Sequence, residues 1–167
     1  MVNTENVFGF LALATYLATL APSNLRVVFP ALKMNTVVTQ LLKHRRSIGI
    51  STFMLSVAHA SIVLGYHQAE LLERNFYIQS TSGLLIITIF ALLAFTSNSW
   101  SIKKLKKNWK RLHSLTYLAT MLLPWHIAAK MAGRWTPSTM VALVLTLMVL
   151  CMFCYRRYLE WERYIGI

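Results

Sequence analysis

The chain has 167 residues, of which 56% are hydrophobic and only 13% charged, with a mean hydropathy of +0.51. A water-soluble domain carries about twice that share of charge, so the composition excludes one and predicts a single all-α domain, residues 1–167, in a lipid bilayer. The net charge of +12 suits nucleic acid or a membrane protein with its cations sorted to one side, and the positions of the cations decide for the second.

Five apolar runs have the length a bilayer crossing requires. The first, 7–21, follows a stretch without Lys or Arg. It lacks the basic start of a secretory signal and reads as an uncleaved membrane helix that Pro22 should stop. A basic loop follows, with Arg26, Lys33, Lys43, Arg45 and Arg46. Within it, Val37, Val38, Leu41 and Leu42 recur at helical spacing behind Asn35 or Thr36 as caps. That pattern predicts an interfacial helix or a cytosolic extension of the second span, 48–66. The second span contains His59 and ends near His67 in "GYHQ".

The third run, 78–96, begins with Ser80, Thr81, Ser82 and Gly83, small residues that allow close helix packing. Gly49 and Gly65 are read either as close-packing positions or as room for a flat ligand. Loop three holds Lys103, Lys104, Lys106, Lys107, Lys110 and Arg111. The fourth run, 112–129, has His113 at one end and His126 at the other, with Trp109 and Trp125 expected as interfacial anchors. Tyr117, one turn after His113, could hydrogen-bond inside the bundle. The fifth run, 137–155, carries Cys151 and Cys154 one helical turn apart, a spacing read as packing rather than disulfide or metal chemistry. Arg156, Arg157 and Arg163 follow it. Fourteen of the 17 cations therefore fall at one end. This places the N-terminus outside and the C-terminus in the cytosol, and removes nucleic acid as a partner.

Histidines inside a membrane are costly and are expected to face the bundle interior with a partner. His59 and His126 lie at similar depth on different spans. Two neutral imidazoles on facing helices are what a b-type haem requires; the alternative is a cofactor-free hydrogen bond across the helices. Arg45 precedes His59 by 14 residues, about 21 Å and close to four turns, so both share a face. His113 precedes His126 by 13 residues, which predicts a second, inner level near His113. Its opposite ligand stays open: His44 is nearby but about 100° around the helix from Arg45. Arg45 or Arg46 would suit haem propionates. The 13-residue spacing leaves His113 and His126 about 140° apart on an ideal helix, so a phase change is expected, with Pro124 its predicted site.

"HRRSIGISTFMLSVAHA", "STSGLLIITIFALLAFTS" and "NWKRLHSLTYLATMLLPWHI" occur in that order. Together they resemble the ferric reductase-like transmembrane superfamily, in its branch of haem-binding membrane subunits of bacterial methionine-sulfoxide reductase systems. The resemblance covers a core of about residues 42–157. It implies that His59 and His126 hold an outer haem b and that His113 and the Arg45 position flank an inner one. Where other relatives have histidine, this chain has Arg45. The resemblance also implies transmembrane electron transfer from a cytosolic flavin to an outer acceptor, in a prokaryotic inner membrane or an equivalent energy-transducing membrane. One span of the six-helix relatives is not recognised, nor is a Gly-rich nucleotide motif. Flavin is therefore expected only through a partner, a separate cytosolic reductase. The competing expectation is an accessory or assembly subunit of a larger membrane complex, with haem structural or absent. A transporter or channel is disfavoured, because the spans lack an array of polar groups beyond the histidines.

Overall fold

A segment inside lipid must satisfy its own backbone groups, and an apolar run does so by forming a helix. In a computed structural model, which describes residues 4–66, 74–131 and 135–165 (backbone alone for 4–5 and 74–79), the apolar runs are helical throughout. The elements are α1 (Thr4–Val28), a 3-10 turn (Pro30–Met34), α2 (Thr36–Tyr66), α3 (Arg74–Phe95), α4 (Ser99–Leu105), α5 (Lys107–His113), α6 (Leu115–Lys130) and α7 (Pro137–Ile165). Among the described residues there is no strand. His67 lies outside them.

The helices α1, α2 and α7 are each long and apolar enough to cross a membrane, and α3 with α4 makes a fourth candidate broken by a 94° bend. The 16 residues of α6 rise about 24 Å, and α5 extends them toward the basic end. The protein is an all-α, multi-pass membrane protein.

Several boundaries differ from expectation. Pro22 does not end α1, which runs on to Val28. Proline is tolerated in membrane helices where packing holds the turn, and Pro22 is fully buried. The segment before the second span is an extension of α2 rather than a separate helix. Asn35 caps it, its side-chain oxygen accepting from the Val37 and Val38 amides at 2.9 and 3.3 Å. Loop three is largely helical. Asn98 caps α4 by accepting from the Ser101 amide at 2.7 Å, and Lys106, with φ of 48°, separates α4 from α5. The helix interruption in the fourth span falls at Ser114, directly after His113, while α6 continues through Pro124. The Ser114 amide is shared between the Lys110 and Arg111 carbonyls at 3.0 and 3.2 Å, a tightened turn.

Neighbour relations close a ring: α1 packs on α2 and α7, α7 on α6, α6 on α3, and α3 on α2. Burial follows the pattern expected in lipid, where close packing of small residues rather than water exclusion drives association. Ala119, Thr120, Thr146 and Thr52 are among the most buried residues, while Leu84, Met121 and Met148 face outward. The buried threonines satisfy their hydroxyls on their own helices: Thr52 on the Ile48 carbonyl, Thr120 on Thr116 and Thr146 on Ala142. Cys151 and Cys154 are exposed on α7 rather than packed between helices.

Candidate functional site

His59 on α2 and His126 on α6 stand on non-adjacent helices of the ring, and each ring nests against a glycine of a neighbouring helix. A Cβ on Gly9 of α1 would come within 3.1 Å of His59 Cε1. A Cβ on Gly83 of α3 would come within 2.8 Å of His126 Cε1, closer than real Cβ contacts allow. Only glycine permits that approach. Ser82 fixes the second ring further: its Oγ lies 3.0 Å from His126 Nδ1. That bond engages Nδ1, the kind of hydrogen bond that orients metal-binding histidines. Lys130, beyond them, donates to Ser80 Oγ at 3.2 Å.

Tyr16 marks the floor of this level. Its hydroxyl reaches across the interior from α1 to α6, donating to the Thr116 carbonyl and lying 2.8 Å from Thr120 Oγ1. Its ring packs on Phe90 of α3, with centroids 4.8 Å apart. Gly9, Tyr16 and Ser23 recur every seven residues, so one face of α1 meets His59, the interior and Arg45 in turn.

Below Tyr16 the interior opens into a cavity of about 460 Å³, in the range of cofactor sites. Its lining includes His113, Arg45, Arg46, Gly49, Phe90 and Trp109. His113 Nε2 lies 3.2 Å from Thr96 Oγ1 at the end of α3. The Trp109 indole stacks on His113 with centroids 4.0 Å apart and donates to the Thr96 carbonyl at 3.0 Å. Arg45, held by Ser23 Oγ at 3.4 Å, lines the same cavity as His113. Thus α3 supplies a hydroxyl at each level, Ser82 and Thr96, 14 residues apart. That is the separation of Arg45 and His59 on α2.

Of the residues singled out from sequence, the structure brings His59 and His126 into one level and His113, Arg45 and Arg46 into another. His44 is exposed and lies outside the cavity lining. Trp125 faces outward as a belt residue does, but Trp109 is turned inward onto His113 and is not a belt residue. Tyr117 stacks on Phe153 at 4.1 Å between centroids rather than hydrogen-bonding. Gly49 lines the inner cavity. Sequence reasoning missed Gly9, the ring-orienting role of Ser82 and that of Thr96. The 14-residue interval shared by α2 and α3 is the signal that would have found the hydroxyls.

A family model described as ferric reductase like transmembrane component matches residues 8–124, which include His59 and His113 and stop just before His126. The chain is similar to the protein-methionine-sulfoxide reductase heme-binding subunit MsrQ of Rhizobium meliloti (strain 1021). Identity is 29% over 170 residues, 95% of this chain and 72% of that protein. The MsrQ subunit of Agrobacterium fabrum is 32% identical over 117 residues, 62% of this chain and 53% of its own length. That of Brucella ovis is 30% identical over 123 residues, 69% and 51%. The chain thus spans about half the length of the latter two relatives. No solved structure matches.

Proposed function

The chain belongs to the ferric reductase-like transmembrane family, and from that premise we propose that it is a b-type haem subunit carrying electrons across a bacterial inner membrane. The observation that carries this reading is the pair of glycine-nested histidines on facing helices, His59 and His126. The curated relatives bear the name of heme-binding subunits, which supports it.

In this reading His59 and His126 would hold the outer haem. Ser82, at Nδ1 of His126, keeps that ring in one tautomer and orientation. Gly9 and Gly83 supply the clearance that lets both rings stand between packed helices. His113 holds a second haem in the inner cavity. Arg45 and Arg46 offer guanidinium forks for its propionates. Trp109 stacks on the His113 ring and Thr96 meets its Nε2, a contact that an iron bound at that nitrogen would replace. His44 has no part in this set. When bound, haem b supplies a one-electron ferric/ferrous couple. The chain's share of the work is to fix the ligands, shield them from water with aliphatic and aromatic side chains, and neutralise charge at the inner level.

In this reading α1, α2, α3, α5 with α6, and α7 would cross the membrane, with the N-terminus outside and the basic end in the cytosol by the sorting of cations. There Lys103, Lys104, Lys107 and their neighbours form a docking face for an acidic surface of a separate flavin reductase. An acceptor on the outer side, or a larger complex, takes the electrons. The test is a reduced-minus-oxidised visible spectrum of the purified chain with a haem count. A b-type spectrum with one or two haems per chain is expected. Protein that binds no haem on full loading would refute the reading.

A further inference from the structure

A second cavity, of about 530 Å³, opens beside the first at the basic end, between the end of α1, the 3-10 turn, the start of α2 and the extension of α7. Five cations line it: Arg26, Lys33, Arg45, Arg156 and Arg163. Among the described residues no carboxylate lines it. Glu160 engages Arg156 through Nε at 2.8 Å and Arg157 at 2.9 Å. Arg26, Lys33 and Arg163 form no salt bridge among the described residues. Cations gathered at the edge of a low-dielectric bundle repel each other strongly unless an anion joins them.

The surroundings say what kind of anion. The 3-10 turn that forms one wall is bracketed by Phe29 and Met34, which are 51% and 87% exposed, and Val37 follows at 65%. Trp161, one turn after Arg157 on α7, is exposed too. Exposed apolar and aromatic side chains beside guanidinium groups match the water–lipid boundary, where acyl chains leave a headgroup. A small soluble anion would leave those apolar groups in water.

We propose that this pocket seats the phosphate headgroup of an anionic phospholipid from the leaflet at the basic end, its acyl chains passing over Phe29 and Met34. Five cations outnumber one phosphate, so a headgroup with two phosphates binds better than one with a single phosphate. Because Arg45 lines both cavities, the bound lipid would form one wall of the inner level.

The test uses the full chain in detergent, titrated with cardiolipin, phosphatidylglycerol or phosphatidylcholine, with bound lipid counted by native mass spectrometry. Cardiolipin should be retained most and phosphatidylcholine least. The triple variant Arg26→Gln, Lys33→Gln, Arg163→Gln should lower cardiolipin retention about a hundredfold. Its counterpart Arg26→Lys, Lys33→Arg, Arg163→Lys should keep most of it, which separates lost charge from lost fold. Removing the same charge at Lys103, Lys104 and Lys107 should leave retention unchanged. Equal loss in that control, or equal retention of phosphatidylcholine, would overturn the proposal. So would release of the lipid by inorganic phosphate, which would make the occupant a soluble anion.

Discussion

The two levels of the bundle are built on different principles. At the outer level two histidines stand on different helices, each pressed against a glycine, and the fixing contact is a single serine hydroxyl. At the inner level one histidine is pinned by an indole and a threonine, and cations line the space opposite it. In the proposed reading the outer level is a matched pair of ligands, and the inner level is a ligand facing charge. A cofactor with two carboxylates suits the second environment at its edge and the first at its metal, so the two proposed haems should differ in ligand set and potential.

Replacing ligands should break this comparison most visibly. His113→Ala should remove the inner haem and spare the outer, so that haem content falls by about half, read as haem per chain. Gly83→Ala should act at the opposite level: the added methyl displaces the His126 ring, whereas Gly9→Ala meets His59 less tightly and costs less. The order of haem loss, Gly83→Ala before Gly9→Ala, is the outcome to check. Ser82→Ala keeps the ligand but frees its ring, and removal of such an orienting partner should weaken outer-haem retention about 10-fold or more. Loss of haem on titration with an apoprotein acceptor measures it. Tyr16→Phe should matter least. It removes a hydroxyl bonded to Thr116 and Thr120, so thermal unfolding should shift by about 1 kcal/mol while haem content stays constant.

Much of this organisation was legible in the sequence, because hydropathy runs and cation placement obey the bilayer rather than tertiary detail. The runs at 48–66 and 137–155 both appear as long helices, and Asn35 caps α2 as its side-chain chemistry predicts. What was not legible depends on neighbours. Pro22 reads as a stop in isolation, yet the helix continues through it in a buried setting. The helix interruption between His113 and His126 falls at Ser114, where the backbone tightens, and not at the proline that local rules favour. Trp109 looks like an interfacial anchor until the fold turns it onto His113. Gly9 carries no local signal at all, since its reason for being glycine is a ring on another helix.

The central claim is that His59 and His126 are ligands and not packing residues. The most direct measurement is the haem content of His126→Gly, purified with and without imidazole in the buffer. The vacated space should admit free imidazole, so outer haem should be lost without it and restored with it. Full haem content in His126→Gly without imidazole would contradict the assignment.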